Sequence, residues 1–224
     1  FKRLGFGLFV HFGLYSVEGK GEWYLECGEN VDKDEYNAII SRFKINKNWA
    51  ENLVKTAKKA GCRYITITTR HHDGFSLYDT QGLSNFDAPH SACGRDLIRE
   101  FADECHKEGI VPFFYHTLLD WYNPDYNSNF PKYIDYLDKS IEILCKNYGK
   151  IGGFWFDGMW NKPDEDWQED RLYGTIRKYQ PEAMIINNTG LSAQGKTGHK
   201  EIDSVTFERG KPCFVDTTDK PIAG

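Results

Sequence analysis

Apolar and polar positions along this chain switch repeatedly between two periods. From Asn48 to Ala60 the residues Trp49, Leu53, Ala57 and Ala60 recur at helical spacing, and Gly61 supplies the left-handed residue that ends a helix. The apolar stretch Cys62 to Thr69 follows and predicts a strand. The same order returns in Asp96 to Glu108, where Leu97, Phe101 and Cys105 face inward, then Gly109, then a strand over Ile110 to Tyr115. It returns again as a helix over Tyr133 to Tyr148, Gly149 and a strand over Ile151 to Phe156. A further copy comprises a helix over Trp167 to Tyr179, Pro181 and a strand over Ala183 to Ile186. An apolar run from Gly5 to Val10 supplies the first strand, and Ser204 to Phe207 a short sixth.

Strands that alternate with helices imply a parallel α/β sheet joined by right-handed crossovers. The strands are apolar on both faces, as expected of a sheet covered by helices. A doubly wound sheet would carry a glycine-rich phosphate loop after its first strand, but Gly5-Phe6-Gly7 lies within that strand. The remaining solution is a (β/α)8 TIM-like barrel, whose enzymes carry ionisable residues at the C-terminal ends of several strands. That distribution is present: His11, Arg70-His71-His72-Asp73, Tyr115-His116, Asp157, Asn187-Asn188 and Glu208 each close a predicted strand, and Asp120-Trp121 follows the third. Roughly six βα units are recognisable where such a barrel has about eight. The chain opens at Phe1 and closes at Gly224 with no terminal helix or strand, so it reads as one partial catalytic domain, residues 1–224, with the closing strands beyond it.

Composition narrows the function classes. The chain has 224 residues, 40% hydrophobic and 15% aromatic, too rich in rings for a disordered polymer. A net charge of −5 argues against a nucleic-acid surface, and no apolar run reaches the roughly 20 residues of a membrane span. No signal peptide is visible. The six cysteines, Cys27, Cys62, Cys93, Cys105, Cys145 and Cys213, are scattered without zinc-type spacing, which favours a reducing, cytoplasmic compartment.

Candidate chemistry gathers at the strand ends. Glu22-Trp23-Tyr24 sets a carboxylate beside aromatic rings, a combination suited to a sugar, whose C–H face stacks while its hydroxyls hydrogen-bond. His71-His72-Asp73 could ligate a metal, but neighbours on a strand point to opposite faces, so polar substrate contacts are expected instead. Asp157 follows the buried aromatic strand Phe154-Trp155-Phe156, where a carboxylate is costly unless it is paired, bound or working. It is the candidate nucleophile, and Gly158 is expected to leave room for a ligand. The alternative for each of these residues is structural: a satisfied core histidine, a hydrogen-bonded turn, an Asp that opens the next loop. A glycosidase needs a second carboxyl, about 5–5.5 Å away for retention of configuration and farther for inversion. Glu201, Asp203 and Glu208 are the candidates.

These residues occur in segments that together resemble the α-L-fucosidases of glycoside hydrolase family 29. The segments are Phe6 to Val17, Glu22-Trp23-Tyr24, Thr69 to Phe75, Asp120-Trp121 and Trp155 to Gly158, in the family's order across most of the chain. The resemblance implies a (β/α)8-like barrel and a retaining mechanism with Asp157 as nucleophile. It implies a fucose pocket walled by His11, Glu22, Trp23, His71, His72, Tyr115 and Trp155, no cofactor and no metal, and a fucosylated oligosaccharide or glycoconjugate as substrate. The family's β-sandwich domain has no counterpart in these residues. Two departures are visible. Asn187-Asn188-Thr189 stands where many members have Asn-Asn-Arg, and the acidic stretch Asp203 to Glu208 makes Glu208 the expected general acid/base, unless that group lies beyond Gly224. A fucose-binding relic without turnover and a metal-dependent hydrolase are the rival expectations.

Overall fold

The structure, a computed structural model, describes residues 3–28, 31–188, 198–206 and 222–223. Its strands are β1 (Gly7–Val10), β2 (Tyr64–Arg70), β3 (Val111–Thr117), β4 (Gly153–Asp157), β5 (Met184–Asn187), β6 (Val205–Thr206) and β7 (Ile222–Ala223). The helices are α1 (Tyr24–Cys27), α2 (Lys33–Ala38), α3 (Trp49–Lys59), α4 (Leu97–Glu108), α5 (Asp125–Ser128), α6 (Phe130–Asn147) and α7 (Glu169–Tyr179).

Strands β1 to β5 form one sheet in sequential order, every neighbouring pair parallel. This order lacks the reversal that defines the switch point of a doubly wound sheet. Strand β6 pairs with β7 in parallel. A parallel bridge from Ser204 to Ile186, with Asp203 N donating to Ile185 O at 2.8 Å, sets the start of β6 alongside β5. The expected parallel α/β repeat is therefore observed, with five strands in the main sheet.

Local chemistry explains where elements begin and end. Gly5 has a φ of +71°, so the chain becomes extended only at Gly7, two residues later than the apolar run suggests. Helix α4 starts where the Asp96 carboxylate accepts the Arg99 N–H at 2.9 Å, and it stops at Gly109, φ +70°. Helix α6 begins at Phe130, three residues before the periodicity implies, because Asn129 caps it and Pro131 fits its first turn. Helix α7 begins at Glu169, two residues later than expected, after Gln168 turns left-handed.

One face of the sheet carries Ile65, Ile67, Phe114, Phe154, Phe156 and Ile185, all buried in one cluster with Val54, Phe101, Leu144 and Ile176 of the helices. The opposite face presents Phe9, Thr66, Tyr115 and Trp155, by the alternation of side chains along strands. Phe9 remains 40% exposed there. The helix-covered face is thus sealed, and the other face rises toward the strand ends where the candidate chemistry stands. No described helix is long and apolar enough to cross a membrane. Cys62, Cys105 and Cys145 are buried free thiols, Cys93 is partly buried and Cys27 exposed; Cys213 lies outside the described residues.

Candidate active site

Asp157 is the last residue of β4, paired with Thr117 of β3. Its side chain is 17% exposed and receives donors from four directions. Gly158 N (2.8 Å), Trp160 Nε1 (3.0 Å) and Asn188 Nδ2 (3.2 Å) donate to Oδ1. The Tyr115 hydroxyl donates to Oδ2 at 2.9 Å, and His72 Nε2 faces the same oxygen at 3.6 Å. Burial alone would raise the pKa of this carboxyl. The groups directed at it, His72 first and then Trp160 and Tyr115, outweigh burial and hold it below the usual value. Asp157 is therefore an ionised carboxylate in a largely dry setting.

His72 is oriented from behind. Its Nδ1 lies 2.7 Å from Thr117 Oγ1, whose own proton is committed to Leu119 O. Thr117 thereby fixes the ring and turns Nε2 toward Asp157 Oδ2. Trp23 (ring centroids 5.5 Å), Trp121 (5.4 Å) and Trp160 (6.1 Å) all pack edge-on against His72. Trp23 and Trp160 are stacked at 6.3 Å.

On the other side of Asp157, His71 stacks on Tyr115 at 5.6 Å, and His11 sits 5.4 Å from His71 and 5.6 Å from Tyr115. His71 is buried, and desolvation together with the neighbouring His72 and His11 pushes its pKa well below normal, so it is neutral. Its Nδ1 has no partner among the described residues. His11 keeps an edge open to solvent, yet its partial burial still lowers its pKa against the pull of the Glu22 and Asp157 charges. Trp155 pairs with Tyr115 across the sheet and meets Phe9 edge-on at 5.3 Å, one layer below Asp157. The structure thus gathers His11, Trp23, His71, His72, Tyr115 and Asp157 at one end of the sheet, with Trp155 beneath and Glu22 near His11. Glu208 lies outside the described residues.

Three sequence expectations change. His71 and His72 do not point apart; their rings lie 4.3 Å from each other. Strand β2 ends at Arg70 after a register shift between Thr68 and Arg70, so the pair belongs to the turn that follows. Among the described residues no group of three or more His, Cys, Asp or Glu side chains is placed to hold a metal. Gly158 does not make room for a ligand: its φ is +97°, and a Cβ there would meet Leu119 Cβ at 2.6 Å and Leu119 N at 2.7 Å. Glycine is needed for the turn itself. Finally, Glu201 and Asp203 are held by Arg177 at 2.8 Å each, and Asp203 also accepts the Ile185 N–H at 2.9 Å. These bonds tie them to the start of β5, whereas Asp157 stands at the end of β4.

Trp160, outside the candidates drawn from the sequence, joins the site, as do Trp121 and Asn188, which the sequence places near strand ends without a role. The signal for Trp160 is the Asp157-Gly158 pair, a turn that returns the residue three positions on to the carboxylate. Two other residues of the Thr69 to Phe75 segment support the site without lining it. Arg70 is fully buried; it donates to Ser76 Oγ (3.1 Å), Ser140 Oγ (2.7 Å) and Tyr78 Oη, and lies 3.7 Å from Asp120. Asp73 accepts the Tyr36 hydroxyl at 2.6 Å, and burial raises its carboxyl to about 6.

The chain is similar to known proteins over most of its length. The family model described as alpha-L-fucosidase matches residues 1–218. A putative alpha-L-fucosidase of Caenorhabditis elegans is 25% identical over 92% of this chain and 48% of its own length. The human tissue alpha-L-fucosidase is 24% identical over 84% of the chain and 45% of its own length. The chain spans about half the length of the curated relatives it matches. Among solved structures, alpha-L-fucosidase isoenzyme 1 from Paenibacillus thiaminolyticus superposes with a TM-score of 0.81 at 32% identity, covering 96% of this chain and 56% of that one. The alpha-L-fucosidase AlfC from Lactobacillus casei, in complex with alpha-L-fucose product, gives 0.76 at 26% identity, covering 93% and 73%. With the match extending over nearly its whole length, the chain belongs to the alpha-L-fucosidase family.

Proposed function

We propose that this chain is the catalytic part of a retaining exo-glycosidase that releases terminal α-L-fucose from glycans or glycoconjugates. The observation that carries the reading is Asp157: an ionised carboxylate at a strand end, largely dry, set among histidines and aromatic rings. Such a group is positioned to attack a sugar carbon, since its strand fixes it and its donors keep it deprotonated. In the first step an Asp157 oxygen bonds to the anomeric carbon as the glycosidic bond breaks, and the departing oxygen takes a proton from a general acid. Water then attacks the same carbon, the electron pair returns to Asp157, and the water's proton passes to the conjugate base of that acid. Glu208 remains our candidate for this acid/base.

His11, Glu22, Trp23, His71, His72, Tyr115 and Trp155 are assigned to the sugar pocket. Neutral His71, with an unpartnered Nδ1, suits a hydroxyl, and the Trp23 ring offers a surface for an apolar sugar face. The sequential strand order with ionisable groups at the strand ends supports a (β/α)8-like barrel, its remaining strands supplied outside the described sheet. Turnover of an aryl α-L-fucoside, followed by proton NMR from the first seconds, tests the function. The expected first product is α-L-fucose, which mutarotates afterwards. A β anomer appearing first, or fucose bound without release of the aryl group, contradicts it.

A further inference from the structure

The two oxygens of Asp157 have unequal surroundings. A carboxylate oxygen has about two lone pairs, and Oδ1 already receives three donors, from Gly158 N, Trp160 Nε1 and Asn188 Nδ2. Oδ2 receives the Tyr115 hydroxyl, with His72 Nε2 beyond hydrogen-bond distance at 3.6 Å. We propose that Trp160 is a positioning residue whose indole N–H helps to saturate Oδ1, fixing the carboxylate so that Oδ2 is the attacking atom. This rests on Asp157 being the nucleophile.

The Trp160 contact has a structural cause and a chemical consequence. The left-handed Gly158 folds the chain into a short 3-10 turn, Met159–Asn161, which brings the indole back over the carboxylate. The same ring stacks on Trp23 and packs edge-on against His72, so the group that holds Oδ1 is itself held by these two side chains. When Oδ2 bonds to the sugar, Oδ1 becomes the ester carbonyl. Its three donors then polarise that carbonyl and make the carboxylate a better leaving group in the second step. Trp160 therefore serves both halves of the reaction through one hydrogen bond.

The test needs no turnover. Titration of 13C-aspartate-labelled protein by NMR, with the Asp157 signal assigned from Asp157→Asn, gives its midpoint in the parent and in Trp160→Phe. Phenylalanine keeps a ring and removes the N–H. The titratable groups facing Asp157 are His72 after β2, Tyr115 on β3 and His11 after β1, and all stay in place. The expected result is an upward shift of roughly half to one unit, since a donor to a charged group has been lost. The acid limb of the kcat/KM profile moves with it, and kcat falls about tenfold while KM changes little. An unchanged midpoint overturns the proposal. Should Trp160→Phe fail to fold, the indole N–H resonance of the parent is followed instead. It must shift as Asp157 titrates, and a flat response overturns the proposal. An inactive parent with the coupling intact would count against the nucleophile reading, not against the Trp160 contact.

Discussion

Replacing Asp157 with glycine or alanine lowers kcat on an aryl α-L-fucoside by about a thousandfold or more. The size follows from the role assigned to the side chain: without it no covalent intermediate forms, and only binding and acid catalysis remain. Folding should survive, because the carboxylate stands at a strand end with 17% of its side chain exposed. The orphaned donors of Tyr115, Trp160 and Asn188 face the vacated space, where water can reach them. Azide is small enough to enter that space and to attack the anomeric carbon in place of the carboxylate. It should restore part of the turnover and yield β-L-fucosyl azide. Residual activity within a few-fold of the parent would remove Asp157 from the nucleophile's place.

The largest effect on stability is expected at Arg70. Arg70→Ala should lower unfolding free energy by roughly 3–5 kcal/mol, a large part of the total for a domain. Its guanidinium is fully buried between Ser76, Tyr78 and Ser140, over the Tyr136 ring at 4.7 Å, and it is the counter-charge of the buried Asp120. Burial raises the pKa of Asp120 and Arg70 opposes that rise. Removing the arginine leaves a carboxylate in a dry site with backbone donors from Tyr122 and Asn123 and only the more distant, exposed Lys33 as a positive charge. Urea denaturation of Arg70→Ala, Asp120→Asn and the double variant measures the coupling. The double variant should recover part of the loss. A change below about 1 kcal/mol in Arg70→Ala would contradict the account of a buried pair.

The repeat of helix, glycine and strand was legible because each helix end carries its own chemical mark. Gly61 and Gly109 adopt the left-handed conformation that the pattern requires, and the strands they introduce pair in parallel. Boundaries slipped where a local group overrode periodicity, as when Asn129 and Pro131 started α6 early. At the site, Asp157 and the histidines could be found because a polar residue at the end of an apolar strand is conspicuous. The direction of His71 and His72 could not, since it depends on a register shift in β2 that hydrophobic pattern does not encode. Trp160 was hidden for a related reason: an aromatic residue in a loop looks like packing until the turn at Gly158 aims its N–H.

Covalent trapping identifies the nucleophile by its chemistry. A 2-deoxy-2-fluoro-L-fucosyl fluoride slows both steps through its electron-withdrawing C2 fluorine, while its fluoride leaving group lets the first proceed, so the fucosyl-enzyme accumulates. Proteolysis and mass spectrometry then locate the label. One fluorofucosyl group per chain is expected, on the carboxylate of Asp157. A label on any other residue, or rapid turnover with none, would contradict it.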